Sequence, residues 1–401
     1  MSRAPGISRR DAIRTIAATA GASLVDPGPA LTRLFAERSD QDCDADQALG
    51  RLVGTLPLSR PGGVVQPYAV KIGGRGLDAR VNTDLSKLGP DRLITPTDQI
   101  YLRTECPPAV AARRGPWTIT TSGSIAKPST VRLDDVMRRA RPMGAHLLEC
   151  SGNNNPANFG LMSVAEWDGV PLRDLVDTLA PSPQATAVMV SGIDPDQPSA
   201  TSIPGASWIF PLSTLDSVGA FLAVRVNGEP LPLDHGRPVR LVVPGWYGCS
   251  WIKWVVEIRL VDASEPATSQ MREFAGRTHQ TAVHDLAAAY APPVIQTAAT
   301  PIRVEKRQGP GGLEYHIVGI VWGGAHVVDR LAIRFNEGQP WQSFDVCPAP
   351  SSTRIWSLWS YRWKPSVPGV YNIALRVPDA SVSQRRLDSG YYVRQVSIDE
   401  V

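Results

Sequence analysis

Asn227 to Trp254 reads NGEPLPLDHGRPVRLVVPGWYGCSWIKW. The longer run VRLVVPGWYGCSWIKWVVEIRLVD sets strand-forming residues on either side of Pro244-Gly245, a dipeptide that marks a turn. Three side chains of the 227–254 stretch each have two readings. His235 beside Gly236 is either a turn histidine or a ligand. Arg240, set among valines, either snorkels to the surface or points inward. Lys253 either faces solvent from a strand or lines a pocket.

Upstream lies a second informative stretch, HLLECSGNNNPANFG, residues 146–160. Leu147-Leu148-Glu149 reads as the end of a strand. Ser151 to Pro156 is turn chemistry, because Asn tolerates left-handed backbone and Pro stops helices. A cysteine at that junction, Cys150, can present a thiolate to a pocket or close a core as a small hydrophobe.

Around these stretches the chain has 401 residues, enough for two ordinary domains. Apolar residues make up 43% and charged residues 20%, a globular composition. The net charge of +3, from 41 basic and 38 acidic residues, gives no electrostatic footprint for nucleic acid. Cys43, Cys106, Cys150, Cys249 and Cys347 are odd in number and widely spaced, with no CxxC or CxxxH pattern for zinc or an iron–sulfur cluster. Any pairing among them leaves one free, and Cys150 is the expected one.

The remaining segments divide the chain. Arg9-Arg10 after Ser8, followed by a modest apolar run too short to span a bilayer, match a bacterial twin-arginine export signal. That reading puts the protein in the periplasm or beyond, and this route carries proteins already folded, often around a cofactor. We divide the sequence into signal and linker at 1–48, a mixed α/β module at 49–265, a connector at 266–293 and a β-sandwich at 294–401. Within the first module LDDVMRRA reads as a helix with Asp134 and Asp135 in its first turn, and PLRDLVDTLA as one opened by Pro171 at the first position. In the last, EYHIVGIVW, RLAIRFN, YNIALRV and YVRQVSI alternate as strands of a sandwich immunoglobulin-like in scale. The fold class is α+β. Trp356, Trp359 and Trp363 are expected in a core or a subunit interface.

HLLECSGN, AEWDGVPLRDLV and the 227–254 segment together resemble the sulfite oxidase family of molybdopterin enzymes, which includes the molybdenum domain of plant nitrate reductase. The resemblance covers roughly residues 93–261 and continues more weakly through the sandwich, which looks like that family's dimerisation domain. It implies a molybdenum–molybdopterin cofactor and two-electron oxygen-atom transfer. Cys150, in CSGN, fills the metal-ligand cysteine of the family's C-x-GN, and soft thiolate sulfur suits such a metal. His235, Arg240, Trp251, Ile252 and Lys253 fall where the family holds the pterin and its phosphate. Tyr101 and Arg103, in YLRTE, fall on the family's F-x-RNH segment, with Arg103 facing the metal or an anionic substrate.

Two substrate-side features depart from sulfite oxidases. Asn154 and Asn155 stand where two arginines help bind sulfite, so charge is lost there. Val224 replaces a tyrosine that precedes the family's NG. With no C-x-x-C-H haem signature or GxGxxG fingerprint, electrons are expected to leave to an external carrier, a c-type cytochrome, from a homodimer joined through the C-terminal domain. Two other readings stay open: a cofactor-free exported binding or structural protein on this scaffold, and the same cofactor reducing sulfoxides or nitrate.

Overall fold

A computed structural model describes residues 50–59, 68–74, 76–153, 160–193 and 206–401. The twin-arginine segment, Cys43, Asn154 and Asn155 lie outside the described residues.

The first module is built on two sheets that share one core. One sheet carries Arg141–Glu149, Met162–Pro171, Phe221–Val226 and Glu229–Pro230 in that order, with Arg240–Val242 also paired to Phe221–Val226. The other runs Ser207–Pro211, Ala187–Gly192, Val255–Val261, Thr118–Gly123, Ser129–Arg132. Val255–Val261 and Thr118–Gly123 pair in parallel, and its other pairings are antiparallel. Ala187–Gly192 alternates buried and half-buried residues, the period of a strand with one covered face. Helix Leu133–Arg139 has Asp134 and Asp135 in its first turn and Arg138 and Arg139 in its last, matching the dipole at both ends, and buries Val136. Helix Leu172–Thr178 buries Leu172, Leu175 and Val176; Pro171 is its N-cap rather than its first helical residue. A short third sheet, Ile72–Gly73, Asp78–Val81 and Leu102–Thr104, presents Arg103.

The C-terminal module consists of two four-stranded sheets face to face. One is Arg51–Leu56, Ala298–Gly309, Gly312–Trp322, Ser357–Trp363; the other is Gln342–Asp345, Arg330–Phe335, Gly369–Arg376, Arg394–Ile398. Ile317, Ile320, Leu331, Ile333, Ile373, Leu375 and Val396 fill the space between them. Trp356 and Trp359 are in this core, and Trp363 stacks on Phe335 at 4.3 Å between centroids. The indole of Trp359 comes so close to Gly319 that a Cβ there would meet it at 2.1 Å, so only glycine fits.

The described boundaries differ from the sequence division at two points. Arg51–Leu56, read as the start of the first module, pairs antiparallel with Ala298–Gly309 and belongs to the sandwich, because an edge strand joins whichever sheet offers free backbone groups. The connector is packed rather than loose: Met271, Ala275, Ala287 and Tyr290 enter the first module's core. The modules also share a core in which Leu147, Met162, Val164 and Tyr247 meet Ile295 and Trp322. The strand that ends at Cys150 therefore lies against the sandwich.

Candidate functional site

Cys150 follows the last residue of strand Arg141–Glu149 and is half-buried. Its N–H donates to the Leu161 carbonyl at 3.0 Å, and its own carbonyl accepts from Asn153 N at 2.9 Å. The Asn153 side chain closes the turn, accepting from Leu161 N at 2.9 Å and donating to Glu149 Oε1 at 3.1 Å. The Sγ accepts from Gly152 N at 3.3 Å. Burial pushes the thiol pKa up, while that N–H and the charge of Arg103 pull it down. The thiol is free, as are those of Cys106 and Cys249, whereas Cys347 is disulfide-bonded.

The 227–254 segment folds into a cationic cradle. Leu233–His235 is a single helical turn closed by Gly236 at φ 102°, and a Cβ on Gly236 would meet Arg240 Cβ at 2.9 Å and Lys253 Cβ at 3.2 Å. Glycine is thus what lets the His235 turn lie directly on Arg240 and Lys253. Arg240 is 3% exposed, and its Nη1 and Nη2 donate to the carbonyls of His235 (3.1 Å) and Trp251 (3.3 Å). The guanidinium lies 5.4 Å from the Trp167 ring and 5.7 Å from the Trp251 ring. Among the described residues its Nε has no hydrogen-bond partner and no carboxylate offsets the burial that lowers its pKa to about 10. Lys253 Nζ donates to the carbonyls of Thr104 and Asp234 and lies 4.3 Å from the Trp254 ring centroid. Burial, then Arg240, then Lys253 lower the pKa of His235 to about 3, so its imidazole is neutral. Trp251 and Ile252 are core residues, and Trp251 Nε1 donates to the Trp246 carbonyl at 3.0 Å.

Tyr101 is buried within the electrostatic reach of both Cys150 and Arg240. Burial, then the Cys150 thiol, push its pKa well above the usual phenol range, while Arg240 pulls the other way. A Cβ on Gly248 would meet Tyr101 Oη at 2.5 Å, Leu148 Cδ1 at 3.1 Å and the Glu149 carbonyl at 3.2 Å. The GWYG loop therefore packs between the phenol and the strand that carries Cys150. Arg103 Nη1 is ion-paired to Asp78 Oδ1. On the outer side Asp234 accepts from Cys106 N at 2.7 Å and from Lys71 Nζ at 2.9 Å, and Lys71 also pairs with Glu105. Val224 is the extra residue of a β-bulge between Ala223 and Arg225, with its side chain in the main core.

Four residues went unread in the sequence. Glu149 is fully buried and paired with Arg385 of the sandwich; Asn153 locks the turn; Asp78 and Asp234 anchor Arg103 and the Cys106 backbone. A signal existed for Glu149 alone, as an acid inside an apolar run at the end of a strand.

Residues 106–269 match the family model described as oxidoreductase molybdopterin binding domain. The mitochondrial sulfite oxidase of Drosophila melanogaster is 25% identical over 343 residues, covering 78% of this chain and 57% of that protein. For Gallus gallus sulfite oxidase the identity is 27%, over 68% of this chain and 64% of that protein. The nitrate reductase [NADPH] of Aspergillus niger is 27% identical over 68% of this chain and 34% of its own length. The chain thus resembles the sulfite oxidase family of molybdopterin-dependent oxidoreductases. It spans from about a third to under two thirds of these relatives' own length. Its fold is shared with the sulfane dehydrogenase SoxCD from Paracoccus pantotrophus at a TM-score of 0.61 and 18% identity, over 84% of this chain and 91% of that one.

The residues present fit that family's cofactor. A buried arginine with no carboxylate on it among the described residues, close to Lys253, would suit an anion such as a pterin phosphate. Among the described residues no group of three or more His, Cys, Asp and Glu side chains could hold a metal ion. No described helix is long and apolar enough to cross a membrane.

Proposed function

We propose that the chain is an exported molybdenum enzyme that oxidises a small sulfur-containing substrate and passes electrons singly to an external carrier, a c-type cytochrome. The observation that carries the reading is Arg240, buried, positively charged and without a counter-ion among the described residues, in a cradle with Lys253 and the His235 turn. Bound molybdenum–molybdopterin supplies two-electron oxygen-atom transfer. Cys150 would hold the metal through Sγ. Arg240 and Lys253 would grip the phosphate, with neutral His235 and the Trp251–Ile252 backbone beside them. Tyr101, held protonated by burial, is a hydrogen-bond donor at this site. Arg103, kept in place by Asp78, would orient an anionic substrate.

The substrate we propose is a sulfur compound of lower charge than the sulfite dianion. Asn154 and Asn155 give up two cationic side chains, and Val224 gives up a phenol. The fold shared with a sulfane dehydrogenase makes reduced sulfur the first class to try. Arg9-Arg10 supports export, and the immunoglobulin-like sandwich supports a homodimer.

Metal analysis of full chain made with its own maturation machinery tests the proposal, together with turnover of sulfite, thiosulfate and sulfoxides using cytochrome c. One molybdenum per chain, lost in Cys150→Ser, supports it. Wild-type protein without molybdenum overturns it, and turnover only with a nicotinamide overturns the choice of carrier.

A further inference from the structure

Glu149 has no exposure, yet it is a carboxylate immediately before Cys150. Both of its oxygens are saturated. Oε1 accepts from Asn153 Nδ2 at 3.1 Å and Arg385 Nη1 at 2.7 Å; Oε2 accepts from Trp322 Nε1 at 2.9 Å and Arg385 Nη2 at 2.8 Å. Three of these four bonds come from the C-terminal module, and the fourth comes from the residue that closes the Cys150 turn. Arg385 is itself held, donating to Tyr392 Oη at 2.8 Å with its backbone N–H on the Thr297 carbonyl at 3.0 Å. A bidentate guanidinium–carboxylate pair fixes angle as well as distance, which a lysine cannot do.

We propose that Arg385 is a positioning residue for Cys150: the sandwich completes the metal-holding loop by clamping Glu149, beyond any role in pairing subunits. The chain of contacts is short. Arg385 sets the Glu149 side chain, Glu149 sets the Asn153 amide, and Asn153 ties Leu161 and the Cys150 carbonyl into one turn. Groups that hold a ligand in place from behind commonly change metal affinity about 10- to 100-fold when removed. This inference rests on Cys150 being the metal ligand.

The test uses the full chain in three forms: wild type, Arg385→Lys, and the double variant Glu149→Leu/Arg385→Met, which replaces the ion pair by an apolar contact and keeps the interface filled. Two quantities are read on protein shown by urea unfolding to be folded. One is molybdenum per chain. The other is the rate at which iodoacetamide alkylates Cys150 relative to Cys106 in cofactor-free protein, followed by peptide mass spectrometry. We expect folded Arg385→Lys to lose metal and to alkylate faster at Cys150 with the Cys106 rate unchanged, and the double variant to do the same. Wild-type metal content and an unchanged ratio in either folded variant overturn the positioning role, and the double variant decides if Arg385→Lys does not fold. Molybdenum retained in Cys150→Ser strikes the ligand reading itself.

Discussion

Arg240→Met separates what the cradle does for the fold from what it does for a ligand. In the protein alone, burial costs the guanidinium its hydration. The drop in its pKa from 12.5 to about 10 is worth roughly 3 kcal/mol against the cation. Opposing this are two hydrogen bonds to carbonyls, roughly 1.5–3 kcal/mol each for a charged donor, and two aromatic faces. Together these contacts match or exceed that cost. Methionine matches the stem and removes the charge, leaving two carbonyls short of a donor. We therefore expect the urea midpoint of cofactor-free Arg240→Met to move by no more than about 2 kcal/mol in stability. Retention of the cofactor should behave differently. A buried arginine–phosphate pair loses several kcal/mol when one partner is removed, so bound molybdenum should fall at least about 100-fold in affinity. Urea unfolding and metal analysis of the same preparations give both numbers. Full molybdenum content in Arg240→Met would refute the assignment of this arginine to an anion, and collapse of the cofactor-free fold would mean that the charge serves the scaffold instead.

Three more outcomes can be checked. Gly248→Ala drives a Cβ into Tyr101 Oη and should cost about 1–3 kcal/mol, with part of the loss restored by Tyr101→Phe in a double-mutant cycle. Cys150→Ser keeps an acceptor for Gly152 N and should change cofactor-free stability by less than about 1 kcal/mol in urea, while abolishing metal retention. Acid should weaken the fold through two histidines, with His235 depressed to about 3 and His146 to about 4, both mainly by burial. Folded protein keeps both neutral while unfolded chain takes up protons near pH 6.5, so stability is complete above about pH 6.5 and is lost as pH falls toward the folded values. At pH 4.5 each should have cost roughly 2–3 kcal/mol, and His146→Gln should flatten the pH 7 to 4.5 difference in urea midpoint by that share.

The parts of this fold that were legible are those governed by local chemistry. Helix Leu133–Arg139 announces itself by acids at one end and bases at the other, and the sandwich strands by their β-branched content, although Gly312–Trp322 buries its last eight residues in a row rather than alternating. The end of the Cys150 strand followed from two leucines running into amides and a proline. What stayed hidden depends on partners far away in sequence. Arg385 and Arg386 are neighbours with the same side chain, yet one is clamped to Glu149, 236 residues away, while the other is 82% exposed and pairs with Asp388. No local pattern distinguishes them. Arg103 was read as facing the site, but its ion pair with Asp78 needed the small sheet that sets the two strands side by side. The swap of Arg51–Leu56 into the sandwich is likewise a choice of sheet edge, made by geometry outside the strand itself.

The two arginines buried deepest about this site show how charge inside a protein can be read for purpose. Arg385 meets a carboxylate on two prongs, and its pKa rises because Glu149 outweighs burial. Such a pair is complete without any ligand, and breaking it strands a charge at a cost of about 3–5 kcal/mol. Among the described residues Arg240 has two carbonyls and two ring faces as partners and no carboxylate, and burial lowers its pKa. A scaffold gains little by keeping a cation in that condition, since methionine or leucine would fill the space without the desolvation cost. On the proposed reading, the arginine held only by neutral partners among the described residues serves an anion that arrives later, and the one paired with a carboxylate serves the architecture. Arg385 reaches the turn that carries Cys150 through Glu149 and Asn153, so domain packing acts on that turn directly.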